Sequence, residues 1–328
     1  MAHPSRRSPG TPPFPRWLGD VGGTHSRFGW VQSADSSLED IRVYDADDHV
    51  GLEEVMRHDL EQRGRPAPPA CAIGVATAIT GDRVAMTNRD WAFSIDGLRR
   101  RFGFQRLEVI NDFAALALAI PVLEAGELRA VGGGRAAEGA PKAILGPGTG
   151  LGVAGLTPAG EGWAPVVGEG GHATLAASDE REARVIGALR RRFGHVSGER
   201  AVSGGGLVNL YRAICELDGA PAAELDPSDV TARAMEGSDG RCVEAVDLFF
   251  AFLGSIAGNL ALTVGARGGV YVGGGIVPQL GDGIDRSSFR AHFEAKGRYR
   301  DYLAAIPTWV IVSDDSPALR GASRALDG

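Results

Sequence analysis

The chain has 328 residues, 48 of them glycine, with 44% hydrophobic residues, 23% charged residues and a formal net charge of −7. A chain of this length can form two domains of ordinary size, and its composition excludes a disordered or fibrous protein. The negative charge argues against nucleic acid or an anionic membrane as a partner, because both attract basic surfaces.

The N-terminus, the cysteines and the longest apolar segment predict a soluble cytoplasmic protein. Residues 1–15 are rich in proline and lack the apolar core of a signal peptide, which predicts a disordered tail. Cys71, Cys215 and Cys242 are far apart and form no CxxC pair, as is typical of a reducing compartment, and a structural zinc site is not expected. Residues 249–266 carry no charge and have the length of a membrane span, but their glycines and polar side chains favour a buried helix.

The first third of the chain is predicted to begin with a hairpin followed by helices and strands. Apolar residues 17–20 and 28–31 flank the turn GDVGGTHSR, in which Gly22 and Gly23 are expected to supply left-handed backbone angles. The patterns that follow predict a helix containing Leu52, Val55, Met56 and Leu60, strands at residues 71–79 and 107–110, and a helix from Ala114 stopped by Pro121.

The second part of the chain repeats the layout of the first. Strands predicted at residues 143–145 and 153–156 flank the turn GPGTGLG, about 125 residues after the first hairpin, which indicates a duplicated domain. Ser178 precedes a predicted helix with acidic residues in its first turn, arginines in its last and Gly194 beyond its end. A helix over residues 207–217 and a strand at residues 270–272 are predicted next.

Glycine-rich turns after apolar strands predict phosphate binding by backbone N–H groups. The three candidate turns are Gly22-Gly23-Thr24, residues 146–150 and Gly273-Gly274-Gly275. The chain has no GxxxxGK[ST] motif, and its GxGxxG match at residues 150–155 leads into a strand, which excludes a dinucleotide-binding turn. Asp20 precedes the first turn and either holds hydrated Mg²⁺ or caps its own turn.

Asn111 and Asp112 follow a buried strand, at the position where open α/β sheets bind ligands. Phosphoryl transfer to an alcohol requires a carboxylate that accepts the hydroxyl proton, and Asp112 is the best-placed candidate for this general base. The alternative role for Asp112 is an N-cap of the helix that starts at Ala114, which does not exclude catalysis.

Two polar clusters have side chains suited to sugar hydroxyl groups. Glu169 and His172 occur in the glycine-rich loop GEGGH, and the alternative is a solvated loop. His195 and Glu199 occur in GHVSGER after a predicted helix, and periodicity does not place them in the same site. Metal binding by His172 is disfavoured because no second His or Cys has ligand spacing.

Seven segments together resemble the bacterial-type glucokinases of the hexokinase and actin-like ATPase superfamily, in the order found in that family. The segments are GDVGGTHSRFGW, TNRDWAFSI, EVINDFAALALAIP, GPGTGLGVAGL, VVGEGGHATLA, GHVSGERAVSGGGLVNLYRAI and VYVGGGIVPQ. The resemblance implies a two-domain α/β fold of the actin-like ATPase (ribonuclease H-like) type, with a cleft between a small and a large domain. It places the small domain at residues 16–110 with 313–328, and the large domain at 111–312. ATP, Mg²⁺ and glucose are the implied ligands, and a cytoplasmic homodimer is the implied assembly.

Matching positions imply roles for individual residues. Asp112 corresponds to the catalytic base. The implied hexose ligands are Asn111, Asp112, Glu169, His172 and Glu199. The implied nucleotide-binding residues are Asp20, Gly22, Gly23, Thr24, Gly148, Thr149, Gly150, Gly273, Gly274 and Gly275, with Asp20 holding Mg²⁺ through water. The chain departs from the family at His25, where Asn is more frequent, and Pro147 stiffens the second turn. A kinase for mannose, fructose or an N-acetylhexosamine, or a sugar-sensing regulator without catalysis, are the alternatives.

Overall fold

The computed structural model describes residues 13–87, 89–313 and 316–327, so most of the predicted tail lies outside the described residues. The described strands are β1 (Arg16–Val21), β2 (His25–Val31), β3 (Glu39–Asp45), β4 (Ala70–Val75), β5 (Arg83–Ala85), β6 (Ala92–Ser94), β7 (Arg106–Asn111), β8 (Leu128–Val131), β9 (Lys142–Pro147), β10 (Leu151–Ala159), β11 (Gly162–Val167), β12 (Val270–Val272) and β13 (Thr308–Ile311). The described helices are α1 (Leu52–Arg63), α2 (Ile95–Phe102), α3 (Asp112–Ala119), α4 (Glu180–Phe193), α5 (Gly204–Leu217), α6 (Pro227–Glu236), α7 (Gly240–Val264), α8 (Ile276–Gln279), α9 (Gly283–Arg286), α10 (Phe289–Glu294), α11 (Arg300–Ala304) and α12 (Pro317–Ala325).

The chain divides into two compact units, between Leu123 and Glu124 and again between residues 314 and 315. We call them the small unit, which contains β1–β7, α1–α3 and α12, and the large unit, which contains the remaining elements. Helix α3 belongs to the small unit because it packs on α12 and β4. The domain boundary predicted at residues 110 and 111 stays a prediction, since a compact unit defined by contacts need not fold alone.

The small unit is built on a five-stranded sheet in the order β3-β2-β1-β4-β7. Strand β1 pairs antiparallel with β2 and parallel with β4, and β4 pairs parallel with β7. Alternate side chains of β1 face opposite sides of the sheet, as strand geometry requires. Trp17 contributes to the cluster that includes α1, whereas Leu18 contributes to the cluster that includes α12. The predicted strand at residues 71–79 is too long, since β4 ends at Val75.

A buried carboxylate joins β1, β3 and α1 in the small unit. Asp59 accepts hydrogen bonds from Trp17 Nε1 at 2.9 Å, from the Tyr44 hydroxyl group at 2.8 Å and from Arg63 Nε at 2.6 Å. The side chains of Asp59 and Arg63 are 0% exposed. Burial and the neighbouring Asp59 raise the pKa of Tyr44 to about 12.

The large unit is built on a six-stranded sheet in the order β11-β10-β9-β12-β13-β8. Strands β9, β10 and β11 form an antiparallel meander, and β12 and β13 continue the sheet parallel to β9. The small sheet has the same arrangement, with a meander β1-β2-β3 and parallel strands β4 and β7. The shared topology supports the duplication predicted from the two glycine-rich hairpins, and β8 is an additional antiparallel edge strand.

Helix α7 forms the centre of the large unit, and the predicted buried helix is confirmed. It is long and apolar enough to span a membrane, but 67% of its most apolar 18-residue window is buried inside the protein. Two glycines let α10 approach its backbone: a Cβ on Gly254 would lie 2.1 Å from the Phe289 carbonyl oxygen, and one on Gly258 would lie 2.5 Å from that of Phe293. The close approach therefore requires glycine at both positions.

The helix predicted after Ser178 is α4, and its cap differs from the expectation. Asp179 is the N-cap, and its Oδ1 accepts a hydrogen bond from the Glu182 N–H at 2.8 Å. The Ser178 N–H instead donates to the Glu182 carboxylate. The last turn carries arginines and Gly194 ends the helix, as predicted.

Candidate active site

Strand register brings Asp20 and Asn111 to the same edge of the small sheet. Asp20 on β1 lies opposite Gly74 on β4, and Val75 lies opposite Asn111 on β7. Because these three strands are parallel, their carboxyl ends meet at one edge, with β1 and β7 about 10 Å apart. This edge is the usual ligand-binding position in an open α/β sheet.

The first glycine-rich turn joins β1 and β2 at this edge. The Gly22 N–H donates to the His25 carbonyl oxygen at 2.9 Å, and the Ala46 N–H donates to the Thr24 carbonyl oxygen at 2.8 Å. The expectation of left-handed angles is wrong, because neither Gly22 nor Gly23 has φ in that region. Local geometry does not exclude a side chain at Gly22, since an added Cβ would meet nothing nearer than the His25 carbonyl oxygen at 3.4 Å. Glycine at this position thus leaves open space at the edge of the sheet.

Asp20 lies at the base of this turn with a side chain that is 18% exposed. Burial raises the pKa of its carboxyl group, and the Arg27 guanidinium at 3.5 Å opposes that shift. Within the described residues, no N–H of the turn donates to Asp20, so the structure gives no support to the alternative that it caps its own turn. A partly exposed carboxylate next to an open glycine-rich turn fits an outer ligand of hydrated Mg²⁺.

Helix α3 begins at Asp112, and Asn111 is its cap. Asn111 Oδ1 accepts hydrogen bonds from the N–H groups of Phe113 at 2.9 Å and Ala114 at 3.2 Å, and Nδ2 donates to the Thr77 carbonyl oxygen at 3.3 Å. The predicted alternative, with Asp112 as the cap of a helix from Ala114, is therefore wrong. Within the described residues, the second N–H proton of the Asn111 amide has no acceptor, so it can be donated to a ligand.

Asp112 occupies the first turn of α3, where the helix dipole stabilises an anion. The Phe113 N–H donates to Asp112 Oδ1 at 2.9 Å. Gly74 allows this arrangement, since an added Cβ would lie 3.2 Å from the Ala115 Cβ and 3.5 Å from the Asp112 Cα. The start of α3 thus packs directly on β4.

The second and third glycine-rich turns lie side by side in the large unit. The hairpin of β9 and β10 closes with a bond from the Gly148 N–H to the Gly150 carbonyl oxygen at 2.8 Å. Gly274 has φ of +78°, and a Cβ there would lie 2.4 Å from the Pro147 carbonyl oxygen. Thr149 is exposed at the tip of the hairpin, and Gly273 and Gly275 flank the close contact. The two turns therefore share the carboxyl edge of β9 and β12.

The N-terminus of α5 is also directed at this edge, which the sequence analysis did not assign. Ser203 caps α5 by accepting the Gly206 N–H at 3.0 Å, and the Gly204 N–H donates to the Gly148 carbonyl oxygen at 2.9 Å. Gly205 is exposed at the first turn. Helix N-termini favour anions. The sequence signal for a helix N-terminus here is the Ser followed by three glycines, because Ser is a preferred N-cap residue.

Glu199 lies against the second turn. It belongs to a short 3-10 helix, Gly198–Arg200, and its Oε2 accepts the Leu151 N–H at 2.9 Å. A Cβ on Gly150 would lie 2.5 Å from the same oxygen. The structure therefore brings Glu199 to the glycine-rich hairpin that is predicted to bind phosphate.

Glu169 and His172 are exposed on the neighbouring segment. His172 belongs to the 3-10 helix Gly170–His172, whose middle residue contacts β10: a Cβ on Gly171 would lie 2.0 Å from the Leu151 carbonyl oxygen. This places Glu169, His172 and Glu199 on two segments that flank Leu151. His195 is held instead by Thr174, with 3.0 Å between His195 Nε2 and Thr174 Oγ1.

Comparison with known proteins identifies relatives over nearly the whole chain. The glucokinase family model matches residues 17–328. A glucokinase of Aromatoleum aromaticum is 54% identical over 315 residues, covering 96% of this chain and 95% of the relative. The crystal structure of a glucokinase from an Antarctic psychrotroph has a TM-score of 0.86 at 34% identity, covering 95% of this chain and 98% of that one. A Streptomyces griseus ROK-family glucokinase, crystallised with glucose and AMPPNP, shares the fold at 19% identity and a TM-score of 0.65, with 95% and 99% of the two chains covered.

Proposed function

Because the chain belongs to the glucokinase family, we propose that it transfers the γ-phosphoryl group of ATP to the 6-hydroxyl group of D-glucose, forming glucose 6-phosphate. The mixed α/β fold and the close relatives support a hexose-phosphorylating kinase. The observation that carries the proposal is the position of Asp112 as the first residue of α3, at the carboxyl end of β7.

Asp112 is the proposed general base. The N-terminus of α3 stabilises its anion, which is the form that accepts the proton of the glucose 6-hydroxyl group as its oxygen attacks the γ-phosphorus. The P–O bond to ADP breaks as the new P–O bond forms, and ADP leaves. The Phe113 N–H, which donates to Asp112 Oδ1, also helps to orient the carboxylate.

The other sugar ligands are proposed from chemistry and position. Asn111 has one free amide proton for a hydroxyl group, because its other polar positions bind α3 and Thr77. Glu199 has a second carboxylate oxygen besides the one bound to the Leu151 N–H. Glu169 and His172 are exposed and add an acceptor and a ring nitrogen for further hydroxyl groups.

The glycine-rich turns are proposed to bind ATP. Gly22, Gly23 and Thr24 in the small unit, and Gly148, Thr149, Gly150 and Gly273 to Gly275 in the large unit, offer backbone N–H groups to the nucleotide. Asp20 would hold Mg²⁺ through water. When bound, Mg²⁺ neutralises charge on the β- and γ-phosphate oxygens.

The protein is further proposed to act in the cytoplasm as a homodimer. The three cysteines, Cys71, Cys215 and Cys242, are buried and free, which agrees with a reducing compartment. Size-exclusion chromatography with light scattering measures the oligomeric state directly.

A coupled ADP-release assay with glucose, mannose, fructose and N-acetylglucosamine tests the proposed reaction. We expect the highest kcat/KM with glucose, and no turnover after removal of Mg²⁺ with EDTA. A higher kcat/KM with another hexose would assign that sugar as the substrate. Absence of ADP release with every sugar would favour a non-catalytic regulator.

A further inference from the structure

Arg89 lies in the turn of the β5–β6 hairpin of the small unit, next to the first glycine-rich turn. The hairpin closes with a bond from the Met86 N–H to the Trp91 carbonyl oxygen at 2.9 Å. The Arg89 side chain is 16% exposed, and its guanidinium carbon lies 5.1 Å from the centre of the Trp91 ring. Trp91 is 4% exposed and belongs to the core, so the guanidinium packs against a ring whose position is fixed by its buried neighbours.

The guanidinium joins the first glycine-rich turn to the segment after β3. Its Nε donates to the Gly23 carbonyl oxygen at 2.8 Å. Its Nη1 donates to the Ala46 carbonyl oxygen, and its Nη2 donates to the Asp47 carboxylate. All three guanidinium nitrogens therefore donate hydrogen bonds. The acceptor in the glycine-rich turn is the Gly23 carbonyl oxygen.

Holding the Gly23 carbonyl also orients the next N–H group. The Gly23 carbonyl and the Thr24 N–H belong to one planar trans peptide, in which they point in opposite directions. The bond to Arg89 therefore directs the Thr24 N–H away from the guanidinium. Within the described part of the chain, no acceptor is found for the N–H groups of Gly23 or Thr24.

We infer that Arg89 is a positioning residue for ATP, which fixes the Gly23–Thr24 peptide so that the Thr24 N–H donates to a phosphate oxygen. The inference rests on the proposed function, which assigns this turn to phosphate binding. Arg89 acts through the turn and does not itself contact the nucleotide. A lysine cannot replace it, because one ammonium group cannot reach Gly23, Ala46 and Asp47 in the fork geometry of a guanidinium.

Steady-state kinetics of Arg89→Met, Arg89→Lys and Arg83→Met tests this role. Arg83 is the matched control: it lies on the same hairpin and is exposed, and its side chain has no hydrogen bond or ion pair within the described residues. We expect Arg89→Met to raise the KM for ATP by about 10-fold to 100-fold, the effect of losing an oriented hydrogen bond to a charged group. Arg89→Lys should not restore the ATP KM, and the glucose KM should stay within about twofold in all three variants.

Calorimetric titration with Mg·ATP separates this inference from the proposed reaction. If the wild type binds ATP but phosphorylates no hexose, the proposed reaction fails, and weaker ATP binding by Arg89→Met still supports the role of Arg89. Equal ATP affinity in Arg89→Met and Arg83→Met would overturn the inference. It would also be overturned by an absence of ATP binding in the wild type, or by parallel losses of ATP affinity, glucose affinity and melting temperature in both Arg89 variants.

Discussion

Gly150 is expected to control the position of the Glu199 carboxylate. A Cβ at Gly150 would lie 2.5 Å from Glu199 Oε2, whereas unstrained van der Waals contacts begin at about 3.5 Å. Gly150→Ala must therefore displace the carboxylate by about 1 Å, which stretches its 2.9 Å bond to the Leu151 N–H beyond hydrogen-bonding distance. The displaced carboxylate is no longer positioned for a sugar hydroxyl group.

The expected cost follows from the lost bond. A hydrogen bond to a charged group contributes about 1.5–3 kcal/mol, which corresponds to a rise of about 10-fold to 100-fold in the KM for glucose. Gly148→Ala in the same hairpin is the matched control, because an added Cβ there would meet no atom of the described residues within 4 Å. It should leave the glucose KM unchanged and raise only the ATP KM, since the Cβ enters the space proposed for phosphate.

A coupled assay with separate glucose and ATP titrations measures both effects. Equal glucose KM values for Gly150→Ala and Gly148→Ala would contradict the proposed displacement of Glu199. A crystal structure of Gly150→Ala with the Glu199 carboxylate unmoved would refute it as well.

Two further predictions concern the stability of the small unit. Asp59→Ala removes the fully buried carboxylate that Trp17, Tyr44 and Arg63 bind, and leaves the buried Arg63 guanidinium with the partly exposed Asp40 as its remaining carboxylate partner. Urea unfolding should show a loss of about 3 kcal/mol, and a loss below about 1 kcal/mol would contradict the role of the buried ion pair. Asp20→Asn should raise the melting temperature at pH 8. Burial raises the pKa of Asp20 in the folded state, so ionisation of its carboxyl group destabilises the folded protein as the pH rises above the ordinary Asp pKa of 3.8. This gain should vanish below pH 3.8, where Asp20 is protonated in the folded and unfolded states alike, and a less stable Asn variant at pH 8 would contradict it.

Local patterns in the sequence were sufficient to predict the two hairpins and most of the strands that carry the candidate site. Apolar segments on either side of a glycine-rich turn identify β1 with β2 and β9 with β10, because most residues of each strand are buried. Their repeated spacing also predicted the duplicated topology of the two sheets.

Contacts between distant segments could not be read from these patterns. The sequence does not show that Arg89 binds the Gly23 carbonyl 66 positions away, or that Glu199 accepts the Leu151 N–H 48 positions away. Capping was misassigned for a local reason: Asn111 and Asp112 are both good caps, and only the backbone angles show that α3 begins at Asp112.

The glycine turns illustrate a second limit of sequence reasoning. Glycine at position 22 is predicted either to supply left-handed backbone angles or to leave space for phosphate, and both interpretations give the same sequence signal. Gly22 does not have left-handed φ, and the nearest described atom to an added Cβ would be the His25 carbonyl oxygen at 3.4 Å. The conformational interpretation is therefore wrong at Gly22, and space for phosphate stays a prediction.

The assignment of Asp112 as general base is tested most directly by Asp112→Asn, with glucose binding and turnover measured on the same preparation. We expect kcat to fall by about 10²-fold to 10⁴-fold while calorimetric titration still detects glucose binding, since the amide keeps the shape but cannot accept the proton. Glu108→Gln, a change of the same kind at a partly exposed position on β7, should keep wild-type turnover. Near-normal kcat in Asp112→Asn would contradict the mechanism.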